Sequence, residues 1–550
     1  MNNSRHIPAL IVATTLAAVL VAGCNLAATG NTPDATLPPL TVLPTEPPLP
    51  PVPPTDAPIR LWLSPALPEA LRQPLTALQA VGEQTVVLVA SPEEADVRAE
   101  PVSESPSAIW VYAVGVPFPT VRDAITLDEL TTLWRGVEGA WTRVVVRPED
   151  AAAVRSRFGA SGYTVWEEVS EQVTEQTWQQ PGALAILPFE KLDPRLKVLT
   201  LGDQSPLWKA FDPTTYPLSI GFGFAGDAAT VDAIRAAVIW PASNRDPSKL
   251  TVLMMTGVTA LTRATAAKMD QKGVDYPAAL IGDWLRDADI LHVSHEVAFS
   301  ETCPRADAAQ TSLRFCSQPQ QIGLLESIGV DVVELTGNHV MDWGAESLLY
   351  TLEQHRQRNW QDFGGGSNLE DSLQPALFEH NGNRVALLGC NPAGPPQDWA
   401  TADRPGAAPC DFERLFAEVA RLRQDGYLVI FTYQWAESYR SSPMEPQQEG
   451  FRAAADAGAA IVSGSQAHQP QSFEFFNGTF VHYGLGNLFF DQMASAAVRQ
   501  EFLDRHVFYD GRYLSTELLT AYLEDFSQPR PMTPEERAEF LTALFAASGW

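Results

Sequence analysis

From residue 59 onward, short apolar runs rich in Val, Ile and Leu alternate with longer stretches whose apolar positions recur at helical spacing. In the first half the runs predict strands at Ile59–Leu63, Thr85–Ala90, Ile109–Val116, Gly182–Leu187 and Leu196–Leu201. The helical spacings predict helices at Leu67–Ala80, Leu127–Trp134 and Glu149–Phe158. In the second half the strands are Leu250–Met255, Ile290–Val293, Val330–Leu335, Val385–Gly389, Tyr427–Tyr433, Ala459–Ser463 and Thr479–Tyr483. Helices Tyr276–Arg286, Gln320–Ile328, Glu346–Gln357, Phe412–Asp425 and Pro446–Ala457 fall between them. This alternation argues for layered α/β architecture. It divides the chain into a domain at 59–240, a second at 249–528 and a tail at 529–550. In the tail, Thr533-Pro534-Glu535-Glu536 has the form of a capping box with Pro at the first helical position, and opens a helix to about Ala547.

The segment before residue 59 has neither period. Residues 1–24 have the form of an export signal: Arg5 and His6, then the weakly polar to apolar run Leu10–Val21, too short for a confident membrane span. Val21-Ala22-Gly23-Cys24 resembles the lipobox of bacterial lipoproteins. The resemblance implies cleavage before Cys24 and lipidation of that residue; stable anchoring takes more than one acyl chain. The expectation is therefore an exported protein held by lipid on the outer face of the cell membrane. Residues 25–58 read as a tether. Eleven prolines fall between Pro33 and Pro58, and at about 3.1 Å per residue such a segment reaches roughly 80 Å.

Composition narrows the partners. The 550 residues are 45% hydrophobic and carry a formal net charge of −29. No basic stripe is present to displace counterions, so nucleic acid is excluded as a partner class. An anionic ligand needs a local basic pocket or a bridging cation. Of five cysteines, four lie as near neighbours, Cys303 with Cys316 and Cys390 with Cys410. In an exported chain these suggest two disulfides, with buried free thiols as the alternative.

The polar residues of interest collect at strand ends. After Asp331-Val332-Val333-Glu334-Leu335, the chain turns through Thr336-Gly337 into Asn338-His339, and Asp342 is placed to reach back to the His339 ring. Open α/β sheets bind ligands at the carboxyl ends of their strands, and an amide oxygen with an imidazole suits a metal or a phosphoryl oxygen. A buried, hydrogen-bonded histidine in a strand–helix corner is the plain alternative. Other such turns are Thr256-Gly257-Val258-Thr259, Ser294-His295-Glu296, Gln434-Trp435-Ala436-Glu437 and Gly464-Ser465-Gln466-Ala467-His468. The last is Gly484-Leu485-Gly486-Asn487-Leu488-Phe489-Phe490-Asp491.

Taken in order, these turns resemble the CapA family, bacterial surface proteins of poly-γ-glutamate capsule synthesis with a calcineurin-like metallophosphatase fold. That family's turns read Gly-Asp, Asn-Leu-Glu, Asn-Asn-His, His-Trp-Gly, Gly-His-His-Pro-His and Tyr-Ser-Leu-Gly-Asn-Phe. The resemblance implies a four-layer α/β/β/α second domain. It also implies a cleft with Glu296, Asn338, His339 and His468 as metal ligands. His295, Gln434, Gln466 and Asn487 would touch substrate, and His339, Asp342 and Glu437 would do acid–base work. The substrate would be an anionic polymer or its precursor. Three departures stand out: Val258 replaces the first Asp, and Gln434 and Gln466 replace histidines. What remains holds one divalent ion, or none. The alternative to an enzyme is a non-catalytic polymer- or solute-binding lipoprotein. More loosely, the first domain resembles type 2 periplasmic substrate-binding proteins. The similarity lies in Pro117-Phe118-Pro119, Ile125-Thr126-Leu127-Asp128-Glu129-Leu130, Pro181–Leu187 and Tyr216-Pro217-Leu218. It lacks a Ser-Gly-Thr phosphate loop, so a scaffold or docking role stands beside ligand binding.

Overall fold

The computed structural model describes residues 57–169 and 172–550. The expected signal segment, Cys24, and the tether up to residue 56 lie outside the described residues. The described residues form one compact unit.

The first region is built on an eleven-stranded mixed sheet. Ile59–Leu63 lies parallel between Gln84–Leu88 and Val97–Pro101. Ser219–Gly226 then runs antiparallel to both Val97–Pro101 and Ala108–Pro117, joining the two halves. Ala108–Pro117 (AIWVYAVGVP) is buried along nearly its whole length, as an uninterrupted apolar run predicts for a strand covered on both faces. Helix Leu127–Trp134 starts where expected, with a capping box between Thr126 and Glu129. The helix expected at Leu67–Ala80 is shorter, Glu69–Thr76, because the chain turns at once into a small strand at Ala80–Val81.

The second region has two sheets. In one, Gln361–Phe363, Val332–Glu334, Ile290–His295 and Leu250–Thr256 run parallel. The antiparallel strands Gln500–Tyr509, Arg512–Glu524 and Gln528–Pro531 extend it. In the other, Asn383–Cys390, Leu428–Ser438, Ile461–Ala467 and Thr479–His482 run parallel. The sheets pack face to face through Leu253, Met255, Ile290 and Val332 against Val385, Leu387, Ile430, Ile461 and Phe480. Helices Ile322–Ile328 and Ala345–Gln357 cover the first sheet's outer face; Phe412–Gln424 and Glu445–Ala457 cover the second's. The layers therefore run α/β/β/α. Two disulfides, Cys303–Cys316 and Cys390–Cys410, close loops in this region.

The long pair Gln500–Tyr509 and Arg512–Glu524 was not legible as strands. Glu501, Asp504, Arg505 and His506 interrupt the apolar pattern, yet all four are buried. The helix expected at Tyr276–Arg286 is split into a single turn, Tyr276–Ala278, and a short helix, Gly282–Arg286. The C-terminal helix Pro534–Ala547 carries the expected capping box between Thr533 and Glu536. It seals one edge of the inter-sheet layer with Phe540, Leu541, Leu544 and Phe545.

The two regions dock directly. Phe118 of the first inserts among Phe473, Phe475, Phe480, Phe545 and Trp550 of the second. Arg537 pairs with Asp123, and Trp208 donates to Glu517. Leu250 and Tyr509 belong to the first region's core. They mark the amino-terminal end of the Leu250–Thr256 strand. At about 3.3 Å per residue, that end lies some 20 Å from the opposite end of the same strand, where the polar turns gather.

Candidate functional site

Four strand ends bring their side chains to one point. Glu296 follows Ile290–His295, Asn338 follows Val332–Glu334, and Gln434 and Gln466 lie near the ends of Leu428–Ser438 and Ile461–Ala467. The Gln434 amide nitrogen is 3.1 Å from Glu296 Oε1, 3.0 Å from Asn338 Oδ1 and 2.7 Å from Gln466 Oε1. Two N–H bonds serve three acceptors, so one is shared. The other atom of that amide, Gln434 Oε1, is buried without a partner. Two backbone features bring these groups together. Gly337 lies against Glu296, where an added Cβ would sit 2.8 Å from the Glu296 Cα. Gln466 is held at a φ of +72°, a left-handed conformation costly for a non-glycine residue and concentrated at functional sites.

Two histidines flank this centre. His339 Nδ1 donates to Asp342 Oδ2 at 2.7 Å, and Asp342 Oδ2 also accepts from the Phe315 backbone N–H at 2.8 Å. Burial opposes charging of the His339 ring. The hydrogen bond to Asp342 and the charges of Glu296, Asp342 and Asp398 outweigh it, and the pKa is raised above its ordinary 6.5. His468 Nδ1 donates to Asn487 Oδ1 at 2.8 Å, while the Asn487 amide nitrogen donates to the His468 and Val498 carbonyls. Asn487 therefore fixes a proton on His468 Nδ1 and the orientation of the ring. The His468 ring packs against Tyr439 and Phe490.

Of the other residues expected at the site, His295 makes no bond to these groups and Glu437 lies at the exposed margin. His295 is fully buried beneath the site, stacked on Phe299, with both ring nitrogens unbonded. Burial and the nearby His355 push its pKa down to about 3. Glu437 is exposed and bonded to the Tyr439 hydroxyl. Asp398 was missed. It arrives on the loop after Asn383–Cys390, which contains Gly394-Pro395-Pro396. Burial, then the charge of Asp342, raises its pKa to about 7. The strand-end rule that selected the other turns also selects this loop; its prolines disguised it as a plain connection.

These residues do not fit an imidazole- and carboxylate-bound pair of metal ions. Val258, which stands where the turn it resembles carries Asp, is wholly buried in an apolar cluster with Ala260, Val297, Phe315 and Phe490. Among the described residues no group of three or more His, Cys, Asp or Glu side chains could hold an ion. The point where the oxygens converge is taken by an amide nitrogen, a neutral donor.

Residues 252–492 match the family described as bacterial capsule synthesis protein PGA_cap. The chain is 26% identical over 264 residues to the capsule biosynthesis protein CapA of Bacillus anthracis, covering 47% of this chain and 64% of that one. It is 25% identical over 283 residues to the PGA biosynthesis protein CapA of Bacillus subtilis, covering 51% and 71%. The chain thus spans just under two-thirds of the first of these relatives. Among solved structures it is similar to an ABC-type phosphate transport receptor from Vibrio cholerae (15% identity, TM-score 0.28, 32% of this chain, 92% of that one). It is also similar to a 5'-nucleotidase precursor from Thermus thermophilus (14% identity, TM-score 0.30, 55% and 58%). Both scores fall below 0.5.

Proposed function

With residues 252–492 matching the PGA_cap family as the premise, we propose that the chain serves capsule or poly-γ-glutamate assembly as a binding protein. It holds the anionic polymer or its precursor at the Asn338, His339, Gln434 and His468 cleft and does not hydrolyse it through a metal pair. One observation carries this reading. The Gln434 amide hydrogen-bonds Glu296, Asn338 and Gln466 at once, so the oxygens that would hold a cation are engaged within the protein. The raised His339 pKa favours a positive ring facing a carboxylate. In this proposal the chain works outside the cell, lipid-anchored through Cys24. Two disulfides suit that oxidising setting.

The test is binding of poly-γ-glutamate to the purified chain with and without a chelator, with elemental analysis alongside. Chelator-independent binding and no stoichiometric ion are expected. A bound ion lost in His468→Ala, together with polymer cleavage lost in His339→Ala, would overturn the proposal.

A second reading rests on the unpartnered Gln434 Oε1. Turning that amide over presents four oxygens, from Glu296, Asn338, Gln434 and Gln466. Such a set suits a hard cation such as Ca²⁺ or Mg²⁺ better than zinc. A rise in Tm with millimolar Ca²⁺ that Gln434→Ala removes selects this reading; an unchanged Tm selects the first.

A further inference from the structure

The chain has 66 acidic residues against 37 lysines and arginines, so an anionic ligand has to be drawn in locally. Beside the cleft lies a pocket of about 320 Å³ bracketed by the Cys303–Cys316 disulfide, at the small end of the usual range for ligand sites. Its walls include three arginines, Arg263, Arg305 and Arg314, and no aspartate or glutamate.

The arginines are unevenly engaged. Arg305 is exposed and makes no ion pair among the described residues. Arg314 has no carboxylate partner among the described residues: its Nε donates to the Asp342 carbonyl at 2.6 Å, and its guanidinium lies 4.6 Å from the centre of the Trp343 ring. Arg263 pairs with Asp491, but its Nε is buried and unbonded. A second, independent feature points to a ligand. Gln321, 2% exposed, lines the same pocket, and its amide nitrogen is a buried donor with no acceptor. Buried donors normally find partners.

The pocket is coupled to the cleft. Arg263 stands over both Phe315 and Phe490, 5.0 Å from each ring centre. Phe315 packs on His339 at 4.6 Å and Phe490 on His468 at 5.4 Å. Arg314 and Phe315 both donate to Asp342, the residue that holds His339.

We infer that this pocket is a carboxylate-binding subsite. It takes the pendant carboxylates of a γ-linked glutamate chain whose neighbouring unit lies at His339 and His468. Planar guanidinium groups match carboxylates through paired N–H bonds, and a polymer bearing one carboxylate per unit offers such a group beside each one in the cleft. This rests on the polymer-binding reading above and adds to it the residues that recognise the charge.

The test uses the full chain, tetra-γ-glutamate as probe, and its neutral isoglutamine counterpart, followed by calorimetry. Arg305→Ala removes an exposed side chain with no ion pair, so the fold is kept. It should weaken tetramer binding about tenfold, and Arg305→Ala with Arg314→Gln further still. The isoglutamine tetramer should not bind. Wild-type affinity in both variants would overturn the pocket assignment while leaving polymer binding at the cleft intact. Equal binding of the neutral tetramer, or its acidic form displaced by equimolar inorganic phosphate, would overturn the carboxylate assignment. Failure of both the tetramer and the long polymer to bind the wild-type chain would sink this inference and the proposed function together.

Discussion

The second region holds two polar clusters made from nearly the same side chains, and their contrast separates fold from function. The first lies between the sheets. His292 Nε2 meets Glu334 Oε2 at 3.0 Å, and His292 Nδ1 accepts from the Thr256 N–H at 3.4 Å. Glu334 Oε1 accepts from the Thr336 and Thr432 hydroxyls at 2.6 and 2.8 Å. Every polar atom of the His292 ring and the Glu334 carboxylate has a partner, and both residues are sealed from water. The second cluster sits at the strand ends. It leaves Gln434 Oε1 orphaned, holds Gln466 at positive φ, and shifts His339 and Asp398 from their ordinary pKa values. A satisfied network specifies a fold; an incompletely satisfied, strained one in a cleft marks a site. Residue type alone does not distinguish them, since both contain a histidine, a glutamate and neutral polar groups.

The largest effect that tests this contrast is on stability. Glu334→Ala leaves His292, Thr336 and Thr432 without their shared acceptor in the sealed layer. With three buried donors orphaned at roughly 1–3 kcal/mol each it should cost about 3–5 kcal/mol, measured by urea unfolding, without changing ligand affinity in the molecules that remain folded. A loss below about 1 kcal/mol would mean that the inter-sheet cluster is not structural. Gln434→Ala comes next. It removes one donor from three acceptors, so about 1–3 kcal/mol is expected, together with loss of polymer binding. Stability lost with binding retained would place Gln434 with the structural cluster instead.

How much of this was legible in sequence follows the same division. The parallel strands and the helices between them were legible because buried α/β strands are continuous apolar runs with Gly or polar residues at their ends. The Gln500–Glu524 hairpin was not, since its buried charges show their setting only in the folded chain: Arg505 pairs with Asp287 and, across the hairpin, with Glu517, Asp504 pairs with His482, and both Glu501 oxygens are buried unbonded. At the site, turn order placed Glu296, Asn338, Gln434, Gln466 and His468 on the right strand ends. It could not show that the amide of Gln434 would bond three of its neighbours, nor that His295 would turn beneath the sheet toward Phe299. The arginine pocket was not legible because Arg263 lies well before Arg305 and Arg314 in the chain and joins them only when the loop closed by Cys303–Cys316, which carries both, is folded back.

The smallest and most discriminating effect is on pH dependence. The His339 pKa is raised in the folded chain, so its contribution to stability is fully present below about 6.5 and is lost as pH rises through the higher folded value. Asp398 behaves in the same sense for a different reason. Its pKa climbs from 3.8 to about 7 on burial, so the folded state binds the proton more tightly and stability falls as pH rises from about 4 to 7. Asp398→Asn keeps the shape and removes the charge. It should reduce the fall between about pH 4 and 7, leaving the part that Asp150 contributes, and lower the His339 pKa, because one of the negative charges holding it up is gone. Urea melts across pH and the His339 ring proton shift by NMR read the two effects separately. The inter-sheet cluster supplies the control: Asp398→Asn should leave the His292 ring shift unmoved, because His292 is bonded to Glu334 and Thr256. If His292 moved with His339, the two clusters would be one electrostatic unit, and the division between fold and site would fail.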